Sequence, residues 1–168
     1  MDANKTLLVT PDKGLYNSWY IKLDGRMDLE GESQFIQTEH SVLDPSSSGT
    51  LERDQQGTKD LFTYNYWASP VGNRNVLTNN NSYTVADVLK DGSIPEAPAN
   101  ITFLNSGYDG NPGSPGVTPI SIANYWIHKY ANLPNNTYSA WQRIRSNGSL
   151  QPGEGFTMKG IANTNGNV

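Results

Sequence analysis

A chain of 168 residues with 35% hydrophobic and 17% charged residues is long enough for one domain, or for one domain with part of another. Gly, Asn, Ser, Thr and Pro make up 73 of the 168 residues, a composition of turns and polar strand faces that excludes a helical bundle or coiled coil. The net charge of −4 without a basic cluster argues against nucleic acid, no stretch reaches the roughly 20 apolar residues of a membrane span, and the lack of cysteine rules out disulfides and thiolate metal sites. The 17 aromatic residues supply the buried area that a disordered chain of this polarity would lack, so the chain reads as mainly β.

Residues 1–60 carry most of the acid, 6 Lys and Arg against 11 Asp and Glu, whereas residues 61–168 carry 6 against 5. Over 19–62 the apolar residues alternate: Trp19, Ile21, Leu23, Met27, Leu29 and Phe35 fall at odd positions with polar residues between them. This period of two gives strands with one buried and one wet face. The echo Leu23-Asp24-Gly25 and Leu29-Glu30-Gly31, and a second linking Leu29 to Leu51 at 22 residues, fit the coils of a parallel β-helix. An antiparallel meander with glycine-containing turns fits them equally. Asp24, Asp28, Glu30 and Glu32 share one strand parity and are expected to form a solvated acidic face. Asp44–Gly49 is a loop, and the polar break Gln55–Asp60 places a domain boundary near residue 60.

Residues 61–168 are expected to form an aromatic-rich, β-sandwich-like domain with one short helix. Leu61–Trp67 is an aromatic strand in which Tyr64 and Tyr66 share one face and Trp67 takes the other. Asn79–Ser82 is a loop. Thr84–Gly92 is the helix: Thr84 caps it, Asp87 stands at the capping-box position and Gly92 ends it. Ile101–Leu104 is a strand, Gly107–Gly116 an exposed loop, and Ile120–Tyr130, Trp141–Ile144 and Gly155–Lys159 are further strands, with a turn at Asn132–Thr137. Strand parity in Ile120–Tyr130 sends Tyr125 and Trp126 to opposite faces and His128 opposite Ile127. Arg143 and Arg145, at i and i+2, fall on one exposed strand face.

Tyr64-Asn-Tyr-Trp-Ala-Ser-Pro-Val-Gly72, Ile122-Ala-Asn-Tyr-Trp-Ile-His-Lys-Tyr-Ala131, and Trp141 followed by Gly148-Ser-Leu-Gln-Pro-Gly-Glu-Gly-Phe-Thr-Met-Lys-Gly160 resemble segments of large exported surface proteins of Bacteroidota, especially flavobacteria. The likeness covers about residues 20–168. In that family such segments follow repetitive β-structure and precede the C-terminal sorting domain of the type IX secretion route. The resemblance implies an extracellular or cell-surface location and further domains in a longer parent chain. It is specific to the lineage more than to any activity. Met1-Asp2-Ala3-Asn4 begins no signal peptide and Asn163–Val168 ends within a turn, as expected of an excised piece.

The inventory for catalysis is thin. Histidine occurs only at 40 and 128, cysteine not at all, and no Gly-x-Ser-x-Gly elbow exists. Glu154 is a lone acid in a glycine turn, and the resemblance makes it part of that turn. No enzyme is expected. Asp109-Gly-Asn111 places two side-chain oxygens at i and i+2 in a glycine-rich loop, the ligand type that calcium takes; an ordinary Asx-turn is the competing reading. Aromatic residues concentrate after residue 60, with Tyr130 and Tyr138 among them. Tyr64, Tyr66, Trp67, Tyr125, Trp126 and Trp141 are the candidate ligand-binding residues, because sugar rings stack on exposed aromatic faces. The expected function is a non-enzymatic module of a bacterial surface or secreted protein, for adhesion or display. The alternative is a carbohydrate-binding module attached to a polysaccharide-degrading enzyme, with polysaccharide as the partner in that case.

Overall fold

The computed structural model describes residues 1–73, 81–131 and 140–161. The turn expected at Asn132–Thr137, Tyr138 and the segment Asn163–Val168 lie outside the described residues, as does the start of the Asn79–Ser82 loop. The chain is mainly β and divides into two compact units. Met1–Gln55 belong to the first, and the described residues from Gln56 onward to the second. Lys59 already bonds into the second unit, its carbonyl accepting from Ile161 N at 2.8 Å.

The first unit is β-solenoid-like. β1 (Thr6–Val9), β2 (Gly14–Asn17) and β3 (Tyr20–Ile21) make one coil, β4 (Arg26–Leu29), β5 (Gln34–Gln37) and β6 (Val42–Leu43) the next, and β7 (Thr50–Arg53) opens a third. Every pairing is parallel: β1 with β4, β4 with β7, β2 with β5, and β3 with β6. The meander reading therefore falls. The repeat also differs from the 22-residue echo, because Met27 stands beside Leu51 and Leu29 beside Arg53, a step of 24 residues. The matching segments are Gly25-Arg26-Met27-Asp28 and Gly49-Thr50-Leu51-Glu52. Their glycines stand where backbones meet: a Cβ on Gly49 would lie 2.0 Å from the Gly25 carbonyl oxygen, and one on Gly25 2.3 Å from that of Lys5.

Val9, Leu23, Met27 and Leu29 are buried along the coil axis, with Leu15, Ile21, Phe35, Leu43 and Leu51 packed around them. Trp19 breaks the odd-position pattern and is 78% exposed, because it lies between β2 and β3 rather than on a strand. Buried hydroxyls tie the corners. Ser33 Oγ donates to Thr10 O at 2.8 Å and accepts from Lys13 N at 3.2 Å, and Ser47 Oγ accepts from Leu23 N at 3.0 Å. The acidic set is not one solvated face. Asp28 is buried against Arg26 at 3.0 Å, and Arg26 also pairs with Glu52 at 2.7 Å. One guanidinium thus neutralises two carboxylates that the parallel register sets side by side.

The second unit is built on a four-stranded antiparallel sheet in the order β14 (Trp141–Arg143), β13 (His128–Tyr130), β15 (Gly155–Lys159), β8 (Tyr64–Ala68). The inner side carries Phe156 and Met158, which pack with Tyr83, Val85, Ile120, Ile122, Ile127, Leu150 and Ile161 into one core. Covering this side are the helix α1 (Val85–Val88), the parallel pair β11 (Thr102–Leu104) and β12 (Ser121–Ala123), and the small pair β9 (Lys90–Asp91) and β10 (Ala99–Asn100).

Three local expectations are corrected. The capping box forms as expected, Thr84 and Asp87 each bonding the other's backbone, but the helix ends at Leu89. Gly92 has no part in its cap, because the chain has already turned extended into β9. Ile120–Tyr130 is not one strand: a 3-10 turn at Asn124–Trp126 separates β12 from β13. The cause is the Asn124 side chain, buried and bonded on both sides, donating to Asn105 Oδ1 at 2.9 Å and accepting from Ser146 N at 2.8 Å. Arg143 and Arg145 do not share a strand face either. β14 stops at Arg143, and Arg145 has φ +58°, the left-handed conformation in which regular strand alternation ends.

Candidate functional site

The antiparallel register decides which side chains share the outer face. Across the sheet, Tyr66 pairs with Thr157, Thr157 with His128, and His128 with Arg143. Two residues along in one direction lie Tyr64 and Lys159, and in the other Ala68 with Gly155 and Tyr130 with Trp141. Alternation puts all of them on the side away from the Phe156–Met158 core. This outer face holds three tyrosines, a tryptophan, a histidine, an arginine and a lysine.

At its Trp141 end the face carries an open cleft of about 380 Å3, bordered by Tyr66, Ala68, His128, Tyr130, Trp141 and Gly155 among others. This lies in the lower part of the roughly 300–1,000 Å3 range of small-ligand sites. The Tyr130 and Trp141 rings meet edge-to-face at 5.2 Å, and Tyr66 stands opposite them, 72% exposed. Ala68 and Gly155 form the low floor between. Gly155 is not there for its backbone: its φ is ordinary and a Cβ would meet only Trp67 O, at 3.5 Å. What its missing side chain provides is room.

The other end is walled by the 3-10 turn. Tyr125 and Trp126 stand edge-to-face at 4.7 Å, Tyr108 meets Tyr125 at 4.7 Å, and Trp126 meets Tyr64 at 6.1 Å. Trp126 Nε1 donates to Tyr108 O at 2.6 Å, fixing the indole. Two cations lie on these rings: Lys159 Nζ is 3.7 Å from the Trp126 centroid and 5.1 Å from that of Tyr64, and the Arg143 guanidinium is 5.1 Å from Tyr125. Such contacts hold a cation against a ring without neutralising it.

Two supports fix this sheet from below. Tyr83 is buried, and its hydroxyl accepts from Ser69 N at 3.1 Å and donates to Glu154 O at 2.8 Å, joining the end of β8 to the start of β15. Burial pushes its phenol up, against the opposing pull of the Ser69 N–H. Glu154 closes the Gln151–Glu154 turn, accepting from Gln151 N at 3.0 Å and pairing with Lys129 at 3.0 Å. Burial would raise its carboxyl, but the Gln151 N–H and Lys129 hold it below the usual range.

No family model, curated protein or solved structure matches the chain. The geometry of this unit is therefore the ground for reading its function.

Of the residues singled out from sequence, Tyr64, Tyr66 and Trp141 lie on the outer face, and Trp126 joins it through Tyr64 and Lys159. Tyr125 stands beside Trp126, not opposite it, because the 3-10 turn replaces strand parity. Trp67 borders the cleft but packs against the core, so it supports the sheet and is not a stacking surface. Its Nε1 is buried with no acceptor among the described residues. Asn111 Oδ1 accepts from Gly113 N at 2.9 Å in an Asx-turn, and Asp109 is exposed. No group of three His, Asp or Glu side chains placed to hold a metal forms among the described residues. The sequence reading missed Tyr108, Lys159, Arg143 and the Ala68–Gly155 floor as site elements. Gly155 carries no local signal, and only the β8–β15 register reveals what faces it.

Proposed function

We propose that the chain is a non-enzymatic binding module of an exported bacterial surface protein, and that the outer sheet face of its second unit holds a carbohydrate. The observation that carries this reading is the cleft in which Tyr66, Tyr130 and Trp141 stand around a floor of Ala68 and Gly155. Flat apolar rings beside a shallow floor of Ala68 and Gly155 suit the apolar face of a pyranose, while His128 and Arg143 near them supply hydroxyl partners. A monomer rarely leaves such large aromatic surface outward without a use for it. The surface location rests on the motif likeness to exported Bacteroidota proteins, and adhesion and attachment to a polysaccharide-degrading enzyme are two settings for the same face.

Affinity electrophoresis through gels containing neutral and acidic polysaccharides tests this. Retardation by at least one polysaccharide is expected, lost in Trp141→Ala and in Tyr66→Ala while both variants keep the wild-type circular dichroism spectrum. Unretarded migration in every gel would refute the proposal, and so would retardation that both variants retain.

A further inference from the structure

Resting on the carbohydrate reading, we infer that the saccharide is acidic, carrying carboxylates or sulfate esters on its rings. Every charged or titratable group that register places on the outer strand faces, tyrosines aside, is basic: Arg143, His128 and Lys159. No Asp or Glu occurs at any outward position of β8, β13, β14 or β15. Residues 61–168 carry 6 Lys and Arg against 5 Asp and Glu, so a face with Arg143 and Lys159 and no acid is a local concentration of positive charge.

The treatment of the cations is the second observation. Lys129, which alternates to the other side, pairs with Glu154 at 3.0 Å. Arg143 and Lys159 make no ion pair with any described residue and are held against aromatic rings instead. Two carboxylates belong to the Lys159–Tyr108 neighbourhood. Asp60 accepts hydrogen bonds from Phe62 N and Thr63 N at 2.8 and 2.9 Å, and the Thr63 hydroxyl, then these N–H groups and, least, the Lys159 charge hold it below its usual range. Asp109 follows the exposed Tyr108. Neither residue belongs to a strand of the sheet.

The spacing sets the ligand's form. From Gly155 to Lys159 the strand runs about 13 Å at about 3.3 Å per residue, longer than one sugar ring. Rings at both ends and cations between and beyond them fit a chain of sugars whose acidic groups recur along it. Electrostatic complementarity of this kind raises association rate and selects against neutral competitors.

The test compares polygalacturonate (carboxylate), dextran sulfate (sulfate ester), neutral dextran and hydroxyethylcellulose, and polyacrylate as a polyanion without sugar rings, in gels at low and moderate salt. At least one acidic polysaccharide should retard the protein with an affinity tenfold or more above either neutral one, and which of the two does so identifies the acid. Arg143→Gln combined with Lys159→Gln should remove most of that preference, and Trp141→Ala should lose retardation although both cations remain. Neutral polysaccharides binding as tightly as the acidic ones would overturn the inference and leave the carbohydrate reading standing. Polyacrylate retarding the protein as strongly as polygalacturonate and dextran sulfate would overturn it as well, since charge alone would then suffice. No retardation by any of the polysaccharides would remove both.

Discussion

The tryptophans divide sharply at the scale of single residues. Trp67 and Trp141 border the same cleft, yet one packs inward and the other is 40% exposed. Trp67→Ala should cost roughly 3 kcal/mol, the scale of a large aromatic removed from a core, whereas Trp141→Ala should cost under about 1 kcal/mol; urea unfolding of both variants measures the difference. Tyr83 acts through one oxygen. Tyr83→Phe keeps the ring but strips Ser69 N and Glu154 O of their shared partner, a loss of about 1–3 kcal/mol that the same unfolding curves would show. Asp44 gives a pH signature in the first unit. Hydrogen bonds from Ser46, from the Tyr20 hydroxyl and from Ser46 N hold its carboxyl at about 2. Its folded value lies below the unfolded 3.8, so its contribution is complete above that value and is lost as pH falls through about 2. Asp44→Asn should therefore melt earlier than wild type at pH 6, with the gap closing near pH 2.

Elements were legible where a local rule had no competitor. The capping box at Thr84 and Asp87 formed because both partners lie within one turn. Tyr64, Tyr66 and Trp67 alternated as their strand parity required. The misreadings arose where a distant partner decided. The coil step hides behind variable corners: β1–β4 and β2–β5 pair at 20 residues, β3–β6 at 22 and β4–β7 at 24, so no single period repeats in the sequence. Asn124 broke a segment whose apolar residues read as continuous strand, because Asn105 and Ser146 hold its side chain from 19 and 22 residues away. The site suffered most, since the Gly155 floor and the nearness of Lys159 to Trp126 exist only once β8, β13 and β15 are in register. The coil register itself is testable. Gly49→Ala would drive a Cβ against the Gly25 carbonyl, and the first unit should lose about 1–3 kcal/mol, the usual scale of overpacking. Thermal unfolding followed by circular dichroism would read this as a lowered midpoint.

For the whole molecule, the two units spend their chemistry differently. In the first, charged groups bond to one another and to coil corners, as Arg26 does between Asp28 and Glu52. In the second, the inner sheet side supplies a close-packed core, and the outer side leaves aromatic rings and cations facing outward. The core and the proposed recognition surface thus sit on opposite faces of the same four strands. The most direct measurement is calorimetric titration of wild type and Gly155→Leu with the polysaccharide that retards the wild type. The ordinary φ and the open space at Gly155 mean that leucine fits the strand while filling the cleft floor. An unchanged melting temperature with affinity reduced at least tenfold is expected; an equally stable Gly155→Leu that binds as tightly as wild type would rule out the cleft as the binding site.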